Sequence, residues 1–199
     1  MRRLLTVAAA SGLLACAPPP AAWEQAEAPL RPDSPGNREA FRFDPGDVVE
    51  AFDSPGGSFR IWFTRSGPHA VPGADAEGTP ASVLTVAQRY DEVAAFYEGE
   101  LGFRPPLADD IVANANGGDA RFDVYLVDFG GVGDGHYTRE ACLADAPSRC
   151  AGYMAQENDF RGYNYPSLDY AVRILASHEY FHAVQAAYDA DQGSVLAEG

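Results

Sequence analysis

The stretch that most constrains this chain is Ser177-His178-Glu179-Tyr180-Phe181-His182, inside the run 166–189. Leu168, Val172, Leu175, Glu179 and His182 recur at three- and four-residue steps, and Ala171 and His178 widen the stripe, so the spacing predicts a helix. Ser167 behind Pro166 is placed to cap it, Asp169 lies near the positive end of its dipole, and the cluster 189–193 supplies the stop. Ile174, Phe181, Val184 and Tyr188 make the opposite side apolar as well, which predicts a central, largely buried helix. Two histidines four positions apart on a helix share one face about one turn apart, the separation at which both imidazoles bind one metal ion. The glutamate after the first histidine lies beside that face, where it can hold and deprotonate a water next to the ion. Histidines and a carboxylate inside an apolar helix are costly without partners, and a cation satisfies all three together. The competing reading is a set of hydrogen-bonded core residues that bind nothing.

A catalytic zinc usually takes three protein ligands and keeps one position open. The longer pattern H-E-x-x-H-x-x-G-x-x-H is excluded, because Gln185 and Tyr188 stand where its glycine and third histidine belong. The remaining candidate for third ligand is Glu198, with Asp189 or Asp191 as substitutes. The interval from His182 to Glu198 is short, so a tight turn through 189–193 has to bring the chain back.

Upstream, Ser58 to Thr64 alternates in the manner of a strand, and Ser66-Gly67-Pro68 ends it, leaving His69 in a loop as a surface histidine. From Ala81 to Leu101 the period becomes helical, with Val83, Val86, Tyr90, Val93, Ala94, Tyr97 and Leu101 on one side, closed by Gly102 and Pro105-Pro106. Asn114 to Asp119 lacks the spaced acids and closing glutamate of a calcium loop and reads as a solvated turn. Arg121 to Phe129 is the strongest strand. The glycine-rich run 130–135 has no Lys-Ser/Thr after it and so is no phosphate loop; it predicts a mobile loop beside a cleft, with His136 as a candidate substrate contact. Ala151 to Gln156 is a further short strand, while Phe41 to Phe52, broken by Pro45-Gly46, stays unassigned. The order strand, helix, strand, glycine loop, strand, helix suits an α+β domain with a sheet packed on two helices.

With 29 acidic residues against 14 basic ones and a formal charge of -15, nucleic acid is excluded as a partner. Arg2 and Arg3 precede a short apolar core, Leu4 to Leu14, too short to span a bilayer, and then Leu13-Leu14-Ala15-Cys16. This stretch resembles the lipobox of bacterial lipoproteins. The resemblance implies a signal peptide at 1–15, a lipid on Cys16 and, with Ala17 rather than aspartate following, the outer membrane where the host has one. An ordinary cleaved signal peptide is the alternative. Residues 16–40, rich in proline, alanine and acids, read as a flexible tether. With Cys16 assigned to the lipid, Cys142 and Cys150 remain in a compartment where disulfides persist, and a bridge is expected between them. Metal ligation by this pair is the weaker alternative, since the spacing is not that of a C-x-x-C knuckle.

His178-Glu179-Tyr180-Phe181-His182-Ala183-Val184-Gln185, followed by a short acidic loop and Ala197-Glu198-Gly199, resembles the gluzincin branch of zincin-like metallopeptidases, and more narrowly a family of secreted bacterial metallopeptidases. Phe122 to Leu126 and Thr64 to Val71 are similar to the same family, and the likeness spans about Phe59 to Gly199. It implies an α+β zincin-like fold, a small mixed sheet packed on a backing helix and a central active-site helix. Residues 41–199 would be the N-terminal part of that domain, truncated after 199. It further implies zinc held by His178, His182 and Glu198, Glu179 as general base, and hydrolysis of peptide or protein substrates by a membrane-anchored or secreted extracytoplasmic protein. A strand near Ala151 to Gln156 would pair with the extended peptide. The rivals are a non-catalytic surface lipoprotein, a binding or adhesion module on the same core, and a metal-handling lipoprotein.

Overall fold

Runs in which large apolar residues alternate with polar ones form strands, and two helical stripes close over one side of the sheet they build. The computed structural model describes residues 30–112 and 117–193. Its strands are β1 (Val49–Asp53), β2 (Phe59–Thr64), β3 (Phe122–Val127), β4 (Gly135–Leu143) and β5 (Ala146–Glu157), in the sheet order β1-β2-β3-β5-β4. The outer pairs β1–β2 and β4–β5 are antiparallel hairpins; β2–β3 and β3–β5 are parallel. Parallel neighbours need a crossover, and α1 (Ala81–Ala94) supplies the one from β2 to β3. α2 (Leu168–Asp189) follows β5 and packs against α1, β5 and β4. The class is therefore α+β, a five-stranded mixed sheet with two helices.

Phe59, Ile61, Phe63, Val124, Leu126 and Met154 turn to the helices and meet Val83, Val86 and Tyr90 of α1 and Val172, Leu175 and Ala183 of α2. Ala171, Ala176, Ala183 and Ala187 are fully buried, and side chains this small let α2 lie close on its neighbours. Of the second apolar side expected for α2, Val184 is buried and Phe181 packs on Tyr97 and Phe103, whereas Ile174 and Tyr188 are exposed. No helix among the described residues is long and apolar enough to cross a membrane.

The opposite face of the sheet is covered by residues 30–43, which corrects the reading of 16–40 as tether from residue 30 onward. Arg31 is fully buried there and pairs with Asp109 (2.7 Å), Asp123 and Glu140 (2.7 Å). Phe41 stacks on Phe129 at 3.8 Å, and Phe43 joins Tyr125, Val127 and Tyr153 in a second apolar cluster. A proline- and acid-rich composition hides such a strap, because its docking depends on one cation and two rings rather than on a period. Covered on both sides, β3 is buried along its whole length.

Three further boundaries differ from the sequence reading. After Ala94 the first helix widens into a π-helical segment, Ala95–Glu100, whose extra residue per turn rotates the stripe, so Tyr97 stays half-buried while Leu101 is exposed. β1 takes the end of the unassigned stretch, from Val49 on. The glycine run is a loop only to Asp134; Gly135 and His136 open β4, so that β5, which contains Ala151 to Gln156, is flanked on both sides, and β4 forms the sheet edge instead. Cys142 and Cys150 face one another across this hairpin and are disulfide-bonded.

Candidate metal centre

Ser167 caps α2 as its sequence predicts, accepting the Tyr170 N–H at 3.1 Å, and so sets the phase from which the later turns follow. His178 and His182 fall one turn apart with their Nε2 atoms 3.2 Å from one another. Two ligands at ~2.0–2.1 Å from one ion, at a tetrahedral angle, stand ~3.3–3.4 Å apart, so the rings are spaced as two corners of a zinc site. His182 Nδ1 donates to Gln185 Oε1 at 3.0 Å. With its proton on Nδ1, a neutral His182 ring turns an Nε2 lone pair toward His178, which is the tautomer a metal ligand needs. Gln185, to which the sequence alone assigns no role at the site, is thus in contact with it. Its signal is position: it stands three residues after His182, on the same face.

Glu179 is buried on the sheet side of the same turn, and its Oε2 accepts the backbone N–H of Tyr137 at 2.9 Å. A charge-assisted bond of this kind offsets part of the cost of burying a carboxylate. The N–H is available because of register. Asp134 and Glu157 are joined by an inward bond of 2.8 Å, and Tyr137, three residues on, pairs with Met154 at a position whose backbone groups point away from β5. Gly135, Tyr137 and Arg139 therefore present their main chain along the free edge. Ligand atoms of His178, Glu179 and His182 all lie within 4.8 Å of one another. A cleft of about 350 Å³ opens between α2 and the β4 edge, bordered by these three residues and by Tyr137, Arg139 and Asp189.

The π segment grips the motif from behind. Tyr97 donates to the Ser177 carbonyl at 2.9 Å, and Tyr180 donates to Glu98 at 2.8 Å. Burial, and then the Glu98 carboxylate, hold the Tyr180 phenol well above its ordinary range, so it remains a donor. Beneath the helix, Tyr90 donates to Gln156 at 2.9 Å; burial raises its pKa first and the charge of Glu179 next.

The other sequence candidates fall elsewhere. His136 borders the cleft through its strand, but its ring stands on the strap face, 5.3 Å from Phe41 and 5.9 Å from Phe129, and burial pushes its pKa below the ordinary value. His69 is buried rather than at the surface; its Nδ1 accepts the Asp128 N–H at 2.9 Å. Asp44, Asp47 and His69 also bring ligand atoms together, yet a neutral His69 then carries its proton on Nε2, which donates rather than ligates, so this group does not fit a metal. Asp191 pairs with Arg139 at 2.9 Å, and Asp189 accepts the Asp191 N–H at 3.0 Å; among the described residues neither joins the histidine group. Asp119 pairs with Arg60 and Arg121, while 114–116 of the same run lie outside the described residues. Glu198 and Cys16 lie outside the described residues. No known family, curated protein or solved structure matches the chain.

Proposed function

We propose that the chain is a zinc-dependent metalloendopeptidase of gluzincin type on a zincin-like fold, held at a membrane outside the cytoplasm by a lipid on Cys16. The observation that supports this most is the pair of facing Nε2 atoms at 3.2 Å, with the Glu179 carboxylate fixed beside them by a strand edge. His178 and His182 would hold the zinc, with Glu198 as third ligand. When bound, the ion supplies a Lewis acid that polarises the scissile carbonyl and makes water a better nucleophile. Glu179 takes the proton of the attacking water and delivers it to the leaving amine. The Tyr137 N–H aims that carboxylate, and Gln185 holds His182 in the ligating tautomer. The outward main-chain groups of β4 at Gly135 and Arg139, with the Tyr137 carbonyl, can pair with an extended peptide, the role first expected of Ala151 to Gln156.

The test is Glu179→Gln in the full chain. Retained stoichiometric zinc with peptide cleavage reduced at least ~10²-fold is the expected result. Cleavage at the parental rate would overturn the assignment of Glu179. Zinc bound by the parent without cleavage of any peptide in a mixed library would favour the non-catalytic lipoprotein.

A further inference from the structure

The β4–β5 hairpin is not a regular ladder near its tip. Register shifts flank Cys142 on both sides, between Arg139 and Ala141 and again between Cys142 and Leu143. Cys142 pairs with Cys150 while the next residue, Leu143, pairs with Ala146, so residues 147–149 bulge out of β5. That bulge reaches the C-terminal end of α2, whose earlier turns pack on the rest of β5 and β4. The Ser148 carbonyl accepts the Ala190 N–H at 2.6 Å, and Arg149 Nε donates to the Ala187 carbonyl at 2.8 Å. The last carbonyls of a helix have no partner within it, and α2 has no basic residue in its own last turn; Arg149 brings a donor and a positive charge to the Ala187 carbonyl, and Arg139 from β4 reaches the Ala190 carbonyl at 3.4 Å and Asp191 at 2.9 Å. The last turns begin with Gln185, which orients His182. The disulfide closes the base of the bulge, in the two-pair stretch Ala141–Ala151 and Cys142–Cys150 that the register shifts bracket.

We infer that Cys142–Cys150 is a redox-sensitive clasp on the metal site: closed, it presses residues 148–149 onto the end of α2; opened by a dithiol, it lets that end fray back toward Gln185 and weakens the hold on metal. The inference rests on the metal reading above. Cys142 is exposed and Cys150 fully buried, so attack falls on Cys142. A thiolate of the dithiol bonds to the Cys142 sulfur, the S–S bond breaks, and the Cys150 thiolate leaves and takes up a proton. The second thiol of the reagent then displaces Cys142 as its thiol, so two electrons pass from the dithiol to the protein and the reagent ends as its own disulfide.

The experiment compares the oxidised full chain, the Cys142→Ser/Cys150→Ser double variant, which has no thiols of this pair to bind metal, and an oxidised Arg149→Ala variant. Zinc affinity is measured by competition with a chelator and amide exchange is followed residue by residue. Opening the clasp is expected to weaken zinc binding ~10-fold or more and to speed exchange at 185–190, with β2 and β3 amides unchanged as the check on folding. Arg149→Ala is expected to reproduce part of both effects with the disulfide intact. Unchanged affinity and unchanged exchange in the double variant would overturn the clasp, as would global loss of protection in it together with no effect in Arg149→Ala. If the oxidised parent binds no zinc, the metal reading fails by itself; the clasp then stands on faster exchange at 185–190, and falls if exchange there is the same in all three proteins.

Discussion

Gln185 accepts from His182 Nδ1 three residues away, and that bond favours the tautomer whose Nε2 carries a lone pair, the form the proposed metal site requires. Gln185→Leu should lower zinc affinity ~10–100-fold with unchanged helix content, read by chelator competition and circular dichroism. Gly152 carries a different demand. A Cβ there would press into the Thr138 carbonyl across the hairpin and onto the Tyr137 hydroxyl, so Gly152→Ala should cost ~1–3 kcal/mol, read as a lower urea midpoint, and should disturb the strand that holds Glu179. His178, Glu179 and His182 were legible in the sequence because one helix brings them together by spacing alone. The Tyr137 N–H was not, since a main-chain donor leaves no mark in residue identity and becomes a partner only once register is set.

At the scale of elements, α1, α2, β2 and β3 follow from periodicity, and β1 and β4 do not. β4 contains Gly135-His136-Tyr137-Thr138-Arg139-Glu140, with no clean apolar alternation, because one side rests on Gly152 and α2 and the other on the strap. The strap itself is held by charge. One guanidinium faces three buried carboxylates, and burial pushes Asp123 up to about 8 against the pull of Arg31 and Trp62. A carboxyl that binds its proton more tightly when folded stabilises the fold fully below the unfolded pKa, and loses that contribution as pH rises through the folded one. Stability should therefore decline between about pH 4 and 8, by at most ~1.4 kcal/mol per pH unit for one proton. Asp123→Asn should flatten that slope in denaturant titrations at pH 5, 7 and 9. Removing the cation is the harsher change: Arg31→Met leaves three buried acids without a counter-charge and should cost ~3–5 kcal/mol, releasing the strap to proteolysis at 30–43.

For the molecule as a whole, a metal bound by the folded state alone adds stability by mass action. Zinc at about 100-fold its dissociation constant should add ~2.7 kcal/mol, a Tm rise on the order of 5–10 °C that a chelator reverses and that His182→Ala abolishes. The α+β class was readable in advance from the order of elements, whereas the doubly covered sheet was not, because the second cover is an irregular segment without a period. That cover also sets a length. For a chain fastened to a bilayer at Cys16, the leash ends where Arg31 enters the fold and not at residue 40, so its span is at most ~50 Å even when drawn straight. On the proposed peptidase reading, the β4 edge would then patrol a thin shell of fluid above the lipid, reaching what passes close to its own surface and leaving distant polypeptides untouched.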